Sequence, residues 1–183
     1  MLSCFKGKFI LTSPMGEREV FGQKNNHKGI DLVGVDSTIV YSPFTGIART
    51  MEEPNGFGKY VRIEMDNGLW FYMAHLNGFL IDDVSEVHAG DKIGIMGDTG
   101  RVTGVHTHIE LRVENTKNPL NLHKILGIPR KLGEYIGSPT YSYEEAKRTV
   151  RAKCGLEPHT INYLDGWDWN EDLFIKLAQN MVI

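Results

Sequence analysis

The alternation in His106-Thr107-His108-Ile109-Glu110-Leu111 constrains the fold more tightly than any other feature of the chain. Successive side chains of a β-strand point to opposite faces. A strand here therefore sends His106 and His108 to one face and Val105, Thr107 and Ile109 to the other. It follows a loop punctuated by Gly97, Gly100 and Gly104. Two imidazoles then look into one place, an arrangement suited to a metal site in which one ring holds the ion and the other moves protons. The same spacing also suits a polar surface face, and spacing alone leaves both readings open.

The chain upstream repeats the same short rhythm. Gly7-Lys8-Phe9-Ile10-Leu11-Thr12-Ser13 reads as a first strand ended by Ser13-Pro14, with a glycine-containing loop after it. Strands are expected again at Thr38 to Tyr41, Gly46 to Arg49 and Lys59 to Met65. Asp66-Asn67-Gly68 is a hairpin signal, because Asn-Gly fits a turn that needs positive φ. The returning strand runs from Leu69 to His75 and ends on a histidine beside a loop, a position suited to chemistry or to a structural role. A further strand leads from Glu86 to Gly97, with Gly90-Asp91 as its turn. The 20 glycines of this 183-residue chain supply the turns that a β-rich fold requires.

Asn25-Asn26-His27-Lys28-Gly29-Ile30-Asp31-Leu32 places a histidine four residues before an aspartate. Gly29 and the polar approach argue against a helix and for an extended or turning segment, in which Gly29 lets the backbone bend so that both side chains reach one metal. By itself the spacing favours a surface His and Asp over a shared metal. His88 and His123 have no partner at an informative spacing and read as surface residues.

The net charge of −3 provides no global basic field for nucleic acid or an anionic membrane, so nucleic acid is not an implied partner. No run approaches the roughly 18 apolar residues of a membrane span. Cys4 and Cys154 lie far apart without metal-ligand spacing, so both read as idle thiols. The opening Met1 to Lys8 lacks the pattern of a secretory signal, which leads to the expectation of a protein made in the cytoplasm.

After Asn118-Pro119-Leu120 the periodicity changes. Residues 1–128 read as one β-rich domain, 129–141 as a linker marked by glycine and proline, and 142–183 as a small three-helix unit. Ser142-Tyr143-Glu144-Glu145 is a capping-box pattern, with Ala146, Val150 and Cys154 on one helical face and Gly155 as the stop. Pro158 opens a second helix with Ile161 and Leu164 buried. Leu173, Leu177 and Met181, flanked by Phe174 and Ala178, mark a third. Trp167 and Trp169 complete its core or form an aromatic binding surface.

Taken together, His27-Lys28-Gly29-Ile30-Asp31-Leu32, Ala74-His75-Leu76, Gly90-Asp91, Gly97 to Glu110 and Asn118-Pro119-Leu120 resemble the LytM or lysostaphin-like zinc endopeptidases that cut peptidoglycan peptides. Ser13-Pro14 with Gly16 belongs to the same pattern, and the likeness covers roughly residues 8 to 126. The resemblance implies a twisted antiparallel β-sheet whose groove holds one zinc bound by His27, Asp31 and His108, with His75 and His106 as the catalytic pair. Three protein ligands leave a fourth position open, as catalytic zinc requires. Met73, Val105 and Thr107 depart from the family's common tyrosine, proline and Leu or Val, and Asp98 adds charge to the glycine loop. None of these removes a site residue.

The leading expectation is a metalloendopeptidase acting on the stem peptides or cross-bridges of the bacterial cell wall. It would be phage-derived, reaching the wall after release by a holin-like route or as part of a virion. A catalytically silent member that binds wall or regulates another hydrolase is the alternative. A third reading, an iron oxygenase with a two-histidine, one-carboxylate triad, is disfavoured by the extra His75 and His106. For 142–183, wall targeting and structural docking both stay open.

Overall fold

The computed structural model describes residues 1–20, 22–154, 175, 177 and 178. The chain divides into two compact units, Met1–Pro139 and Thr140–Ile183. The first is an antiparallel β-structure. Its strands are β1 (Gly7–Ser13), β2 (Gly16–Val20), β3 (Gln23–His27), β4 (Ile30–Gly34), β5 (Ile39–Tyr41), β6 (Gly46–Glu53), β7 (Gly58–Glu64), β8 (Leu69–Phe79), β9 (Val84–Val87), β10 (Lys92–Met96), β11 (Thr107–Val113) and β12 (Gly133–Gly137). The main sheet runs β12-β1-β4-β11-β8-β7-β6-β9, with β10 bridging β8 and β5, while β2 and β3 form a separate hairpin.

β11 lies between β4 and β8, and its alternation separates core from site. Thr107, Ile109 and Leu111 are fully buried; Ile109 is paired across the sheet with Ile30 and Met73, and Leu111 with Phe71. His108, Glu110 and Arg112 point the other way, opposite Ala74, Tyr72 and Trp70 of β8. The β7–β8 hairpin turns on Asn67-Gly68 as its sequence demands. Gly68 takes φ 75°, and the Asn67 side chain accepts from Leu69 N at 3.2 Å.

Gly29 acts differently from the expectation. It is not among the residues with positive φ; instead a Cβ there would lie 2.1 Å from the Ile109 carbonyl oxygen and 2.8 Å from His108 Cε1. Close backbone approach to β11, rather than a bend, excludes a side chain.

Three stretches differ from the sequence reading. The loop expected after Ser13-Pro14 contains the β2–β3 hairpin, whose polar residues carry little apolar alternation. The linker expected over 129–141 contains β12, which pairs with β1 from Gly7↔Gly137 to Leu11↔Gly133. Its bounding glycines resemble breakers, yet an edge strand paired on one side tolerates them, and Ile136 is 68% exposed. His123 is not a surface residue. It sits in the short helix α1 (Leu122–Leu126), buried, donating from Nδ1 to the Ile128 carbonyl at 3.0 Å and accepting from Met15 N at 3.1 Å. Cys4 is buried among apolar neighbours, which pushes its thiol up to about 12 and keeps it inert.

In the second unit, α2 (Tyr143–Cys154) begins with the expected capping box. The Ser142 hydroxyl accepts from Glu145 N, and the Glu145 carboxylate accepts from Ser142 N at 2.9 Å. Ala146 and Val150 pack with Ala178, with Tyr141, Ile175 and Leu177 around them. The expectations for Gly155, Pro158, Ile161, Leu164, Trp167, Trp169, Leu173, Phe174 and Met181 lie outside the described residues. Among the described residues no helix is long and apolar enough to cross a membrane.

Gly29→Ala should destabilise the protein by more than about 2 kcal/mol in urea unfolding, because backbone, not a flexible side chain, opposes the new methyl. Thr107→Val should do the reverse. Thr107 Oγ1 is buried without a hydrogen-bond partner among the described residues, so an isosteric methyl should raise stability by about 1 kcal/mol.

Candidate metal centre

Register builds the centre. Asp31 on β4 is the direct cross-strand partner of His108 on β11, and Ala74, opposite His108 on β8, is small enough to leave room for the ring. His27 closes the β2–β3 hairpin four residues before Asp31, and the intervening Lys28-Gly29 brings its ring back over the sheet. His108 Nδ1 lies 2.7 Å from Asp31 Oδ1 and 3.0 Å from His27 Nε2, and His27 Nε2 lies 3.1 Å from Asp31 Oδ1. All three residues are buried. They form a group able to hold a metal ion among the described residues.

The outer ring nitrogens fix which atoms face inward. His27 Nδ1 lies 2.9 Å from the Pro14 carbonyl, which can only accept, so Nδ1 carries the proton and Nε2 a lone pair. His108 Nε2 donates to Glu110 Oε1 at 2.9 Å, leaving Nδ1 to face Asp31. In the neutral tautomers two imidazole lone pairs and a carboxylate oxygen thus converge with no proton between them. A single proton on His108 Nδ1 would serve Asp31 but would still confront His27, whereas a cation satisfies all three. Zinc at about 2.0–2.1 Å from three tetrahedral ligands sets them about 3.3 Å apart, close to the spacing here. The residues therefore fit zinc, and each ring is oriented through its far nitrogen as metal-ligating histidines are.

The electrostatics follow from the same contacts. Burial opposes ionisation of Asp31, but the His108 and His27 rings set against its carboxylate outweigh it and hold the carboxyl far below its usual range. Burial likewise disfavours the His108 cation, yet Asp31 and Glu110 on its two nitrogens raise its pKa above the ordinary value.

His75 and His106 stand beside this group. Their ring centroids are 4.9 Å apart, and those of His75 and His108 are 5.9 Å apart. His106, just before β11, brings Nε2 to 3.7 Å from Asp31 Oδ1 and holds its Nδ1 proton on the Gly104 carbonyl at 2.8 Å. His75 does not end its strand as expected but sits inside β8. There the register with β7 passes from Val61↔Met73 to Lys59↔Leu76, so Ala74 and His75 oppose the single Tyr60. This bulge carries His75 into the left-handed region, φ 63°, at a cost of about 1–2 kcal/mol for a residue with a side chain. The strain re-aims the imidazole. Its Nδ1 donates to the Thr99 carbonyl at 2.9 Å, leaving the Nε2 lone pair free of that bond. Burial pushes His75 down to about 4, opposed by the Thr99 carbonyl and reinforced by His106 and His108, so it is neutral at neutral pH.

All five predicted residues are therefore brought together, while His88 stays exposed and His123 is a structural contact elsewhere. Three supporting residues escaped the sequence reading. Glu110 buffers His108 on one side and holds Arg112 on the other, with Nε at 2.6 Å. Thr99 donates its hydroxyl to the Leu76 carbonyl at 2.7 Å and accepts from Lys59 N at 2.9 Å, which pins the glycine loop to both strands around the bulge. Arg18 reaches Asp31 Oδ2 at 3.1 Å. Alternation along 106, 108, 110 and 112 was available to find Glu110; Thr99 and Arg18 carried no local signal.

Comparison with known proteins decides the family, since the profile of Peptidase family M23 matches residues 25–121. The chain belongs to peptidase family M23. M23 is a zinc metallopeptidase family, in agreement with the donor set. Over 98 residues the chain is 35% identical to the peptidoglycan DD-endopeptidase ShyA of Vibrio cholerae, covering 54% of this chain and 22% of that protein. Among solved structures, a zinc-containing peptidase from Vibrio cholerae aligns at 30% identity and TM-score 0.53, over 61% of this chain and 35% of the other. A mutant catalytic domain of the prophage-encoded M23 protein EnpA from Enterococcus faecalis aligns at 27% identity and TM-score 0.57, over 66% of this chain and 93% of the other. The chain spans less than a third of the length of the curated relatives it matches.

In the metal-free M23 chain, NMR titration of the imidazoles should find His75 neutral down to about pH 4 and His108 still protonated above the ordinary histidine range. Zinc must displace that His108 proton, so affinity should fall as pH is lowered. Glu110→Ala should weaken zinc binding by about 10- to 100-fold in chelator competition while the sheet remains folded by circular dichroism.

Proposed function

We propose that this M23 chain is a zinc-dependent endopeptidase that hydrolyses peptide bonds in the stem peptides or cross-bridges of bacterial peptidoglycan. His27, Asp31 and His108 would hold the metal, and His75 and His106 would form the catalytic pair. One observation carries the reading: three inward lone-pair atoms lie within 3.1 Å of one another, with two further imidazoles alongside. The name of ShyA, a peptidoglycan DD-endopeptidase, supports the substrate class.

Zinc, when bound, polarises a scissile carbonyl and brings the pKa of water towards about 7. The protein's own groups do the rest. Asp31 and the imidazoles of His27 and His108 would hold the metal, with His75 and His106 alongside to meet the substrate. His75, neutral because it is buried, and His106 each offer an Nε2 lone pair to accept the proton of the attacking water. The same nitrogen, once protonated, donates to the leaving amine, and until it does so the imidazolium formed by that transfer stabilises the oxyanion beside it. The Thr99 and Gly104 carbonyls hold each tautomer throughout.

Likeness to prophage-encoded EnpA supports a phage-derived lytic enzyme that meets the wall after release by a holin-like route or within a virion. The second compact unit, Thr140–Ile183, supplies none of the five site residues. It is a candidate for wall targeting or structural support.

The test is peptide release from purified peptidoglycan by zinc-loaded protein beside a chelated sample, with new amino termini identified by mass spectrometry. Asp31→Ala and His108→Ala should lose zinc. His106→Ala should retain it and lose about 10²- to 10⁴-fold in turnover. Zinc retained in all three would refute the ligand assignment. No cleavage across several wall chemistries, despite one bound zinc, would favour a silent wall-binding or regulatory member.

A further inference from the structure

The hairpin β2–β3 grips both oxygens of Asp31. Gly16 pairs with His27 and Arg18 with Asn25, and directly opposed residues share a face, so Arg18 and His27 lie on the same face of the hairpin. His27 Nε2 approaches Oδ1 at 3.1 Å, whereas Arg18 Nη1 donates to Oδ2 at the same distance. The two contacts divide the carboxylate: one oxygen lies with the imidazole lone pairs, and the other is occupied by a guanidinium. Arg18 Nη1 is fixed in turn by the Ser13 hydroxyl, which accepts from it at 2.6 Å. Ser13 ends β1 and is the cross-strand partner of Asp31. Thr12 Oγ1 donates to the Asp31 backbone carbonyl at 3.1 Å, so both the main chain and the carboxylate of this residue are held.

An unrestrained carboxylate can bind a cation through one oxygen or both. Binding through both would add a ligand atom and consume the open position that a reacting group needs. We propose that Arg18 is a positioning residue that confines Asp31 to one-oxygen coordination by holding Oδ2, and so preserves the open position of the metal centre. The planar guanidinium matters because its donors are held in a fixed fork, whereas a lysine ammonium would be a single mobile charge. This inference rests on the zinc-peptidase reading above.

Cobalt substitution tests it on the full chain, because four-coordinate Co²⁺ absorbs visible light several-fold more strongly than five- or six-coordinate Co²⁺. Wild-type protein titrated with Co²⁺ should give the intense four-coordinate spectrum. Arg18→Met should lose much of that intensity at saturating Co²⁺ and weaken zinc binding by about 10- to 100-fold in chelator competition. Arg18→Lys should restore only part of each. A merely structural arginine would lower the unfolding midpoint but leave the spectrum of the folded fraction unchanged. Unchanged spectrum and zinc affinity in folded Arg18→Met would overturn the proposal. If that variant fails to fold, X-ray absorption and a crystal structure of the zinc-loaded wild type decide. Asp31 bound through both oxygens, or Arg18 detached from Oδ2, would overturn it equally. Failure of wild-type protein to bind Co²⁺ through His27 and His108 would instead refute the underlying zinc reading.

Discussion

Antiparallel pairing of β11 between β4 and β8 is the constraint on which the rest of the centre depends. It sets His108 opposite Asp31 on one side and Ala74 on the other, and places Ile109 and Leu111 in the core by the same alternation. A one-residue slip would send every polar side chain of β11 inward and every apolar one to the site. Burial of the apolar face therefore holds the face that carries His108 in register. The cost of misplacing one imidazole is the cost of exposing a core.

The polar side of that strand would be expensive if it stood alone. His27, Asp31 and His108 are buried, and an unpaired polar group in such surroundings costs about 1–3 kcal/mol. Their outer contacts meet that cost: Pro14 carbonyl for His27, Glu110 for His108, Arg18 for Asp31. Each outer contact also decides which atom turns inward. Stability and ligand geometry are thus set by one network, in which Glu110 is in turn held by Arg112, and Arg112 stacks over Tyr72 at 4.6 Å.

Strain is confined to the other half of the site. His75 occupies a left-handed conformation at a bulge, and the glycine loop that receives its Nδ1 proton packs so closely that a Cβ on Gly100 would lie 2.3 Å from Gly58 N. Thr99 ties these pieces together through one hydroxyl and one carbonyl. The His108–Asp31 pair is held by the in-register pairing of β11 with β4 and the His75 half by a strained bulge, which separates groups held by the sheet from those suited to moving protons.

Much of this was readable in the order of residues. Period-two alternation assigned the strand that holds His108, although His106 falls just before its first residue, Asn67-Gly68 assigned the hairpin, and the joint pattern of His27, Asp31, His75, His106 and His108 pointed to the family. These are local signals, or patterns of residue identity at defined spacing. What no local window could carry was set by contacts between strands remote in the chain. β12 looked like a linker because its glycines are breakers until β1 lies beside them. His123 looked exposed because Met15, its hydrogen-bond partner, is 108 positions away. Gly29 looked like a bend because the carbonyl that excludes its side chain belongs to Ile109. Arg18 and Thr99 act on Asp31 and His75 only once the hairpin and the glycine loop have docked. Residue type and spacing specify which groups are present and which face they take. Strand pairing across long sequence distances specifies which proton, oxygen and ring nitrogen each of them meets.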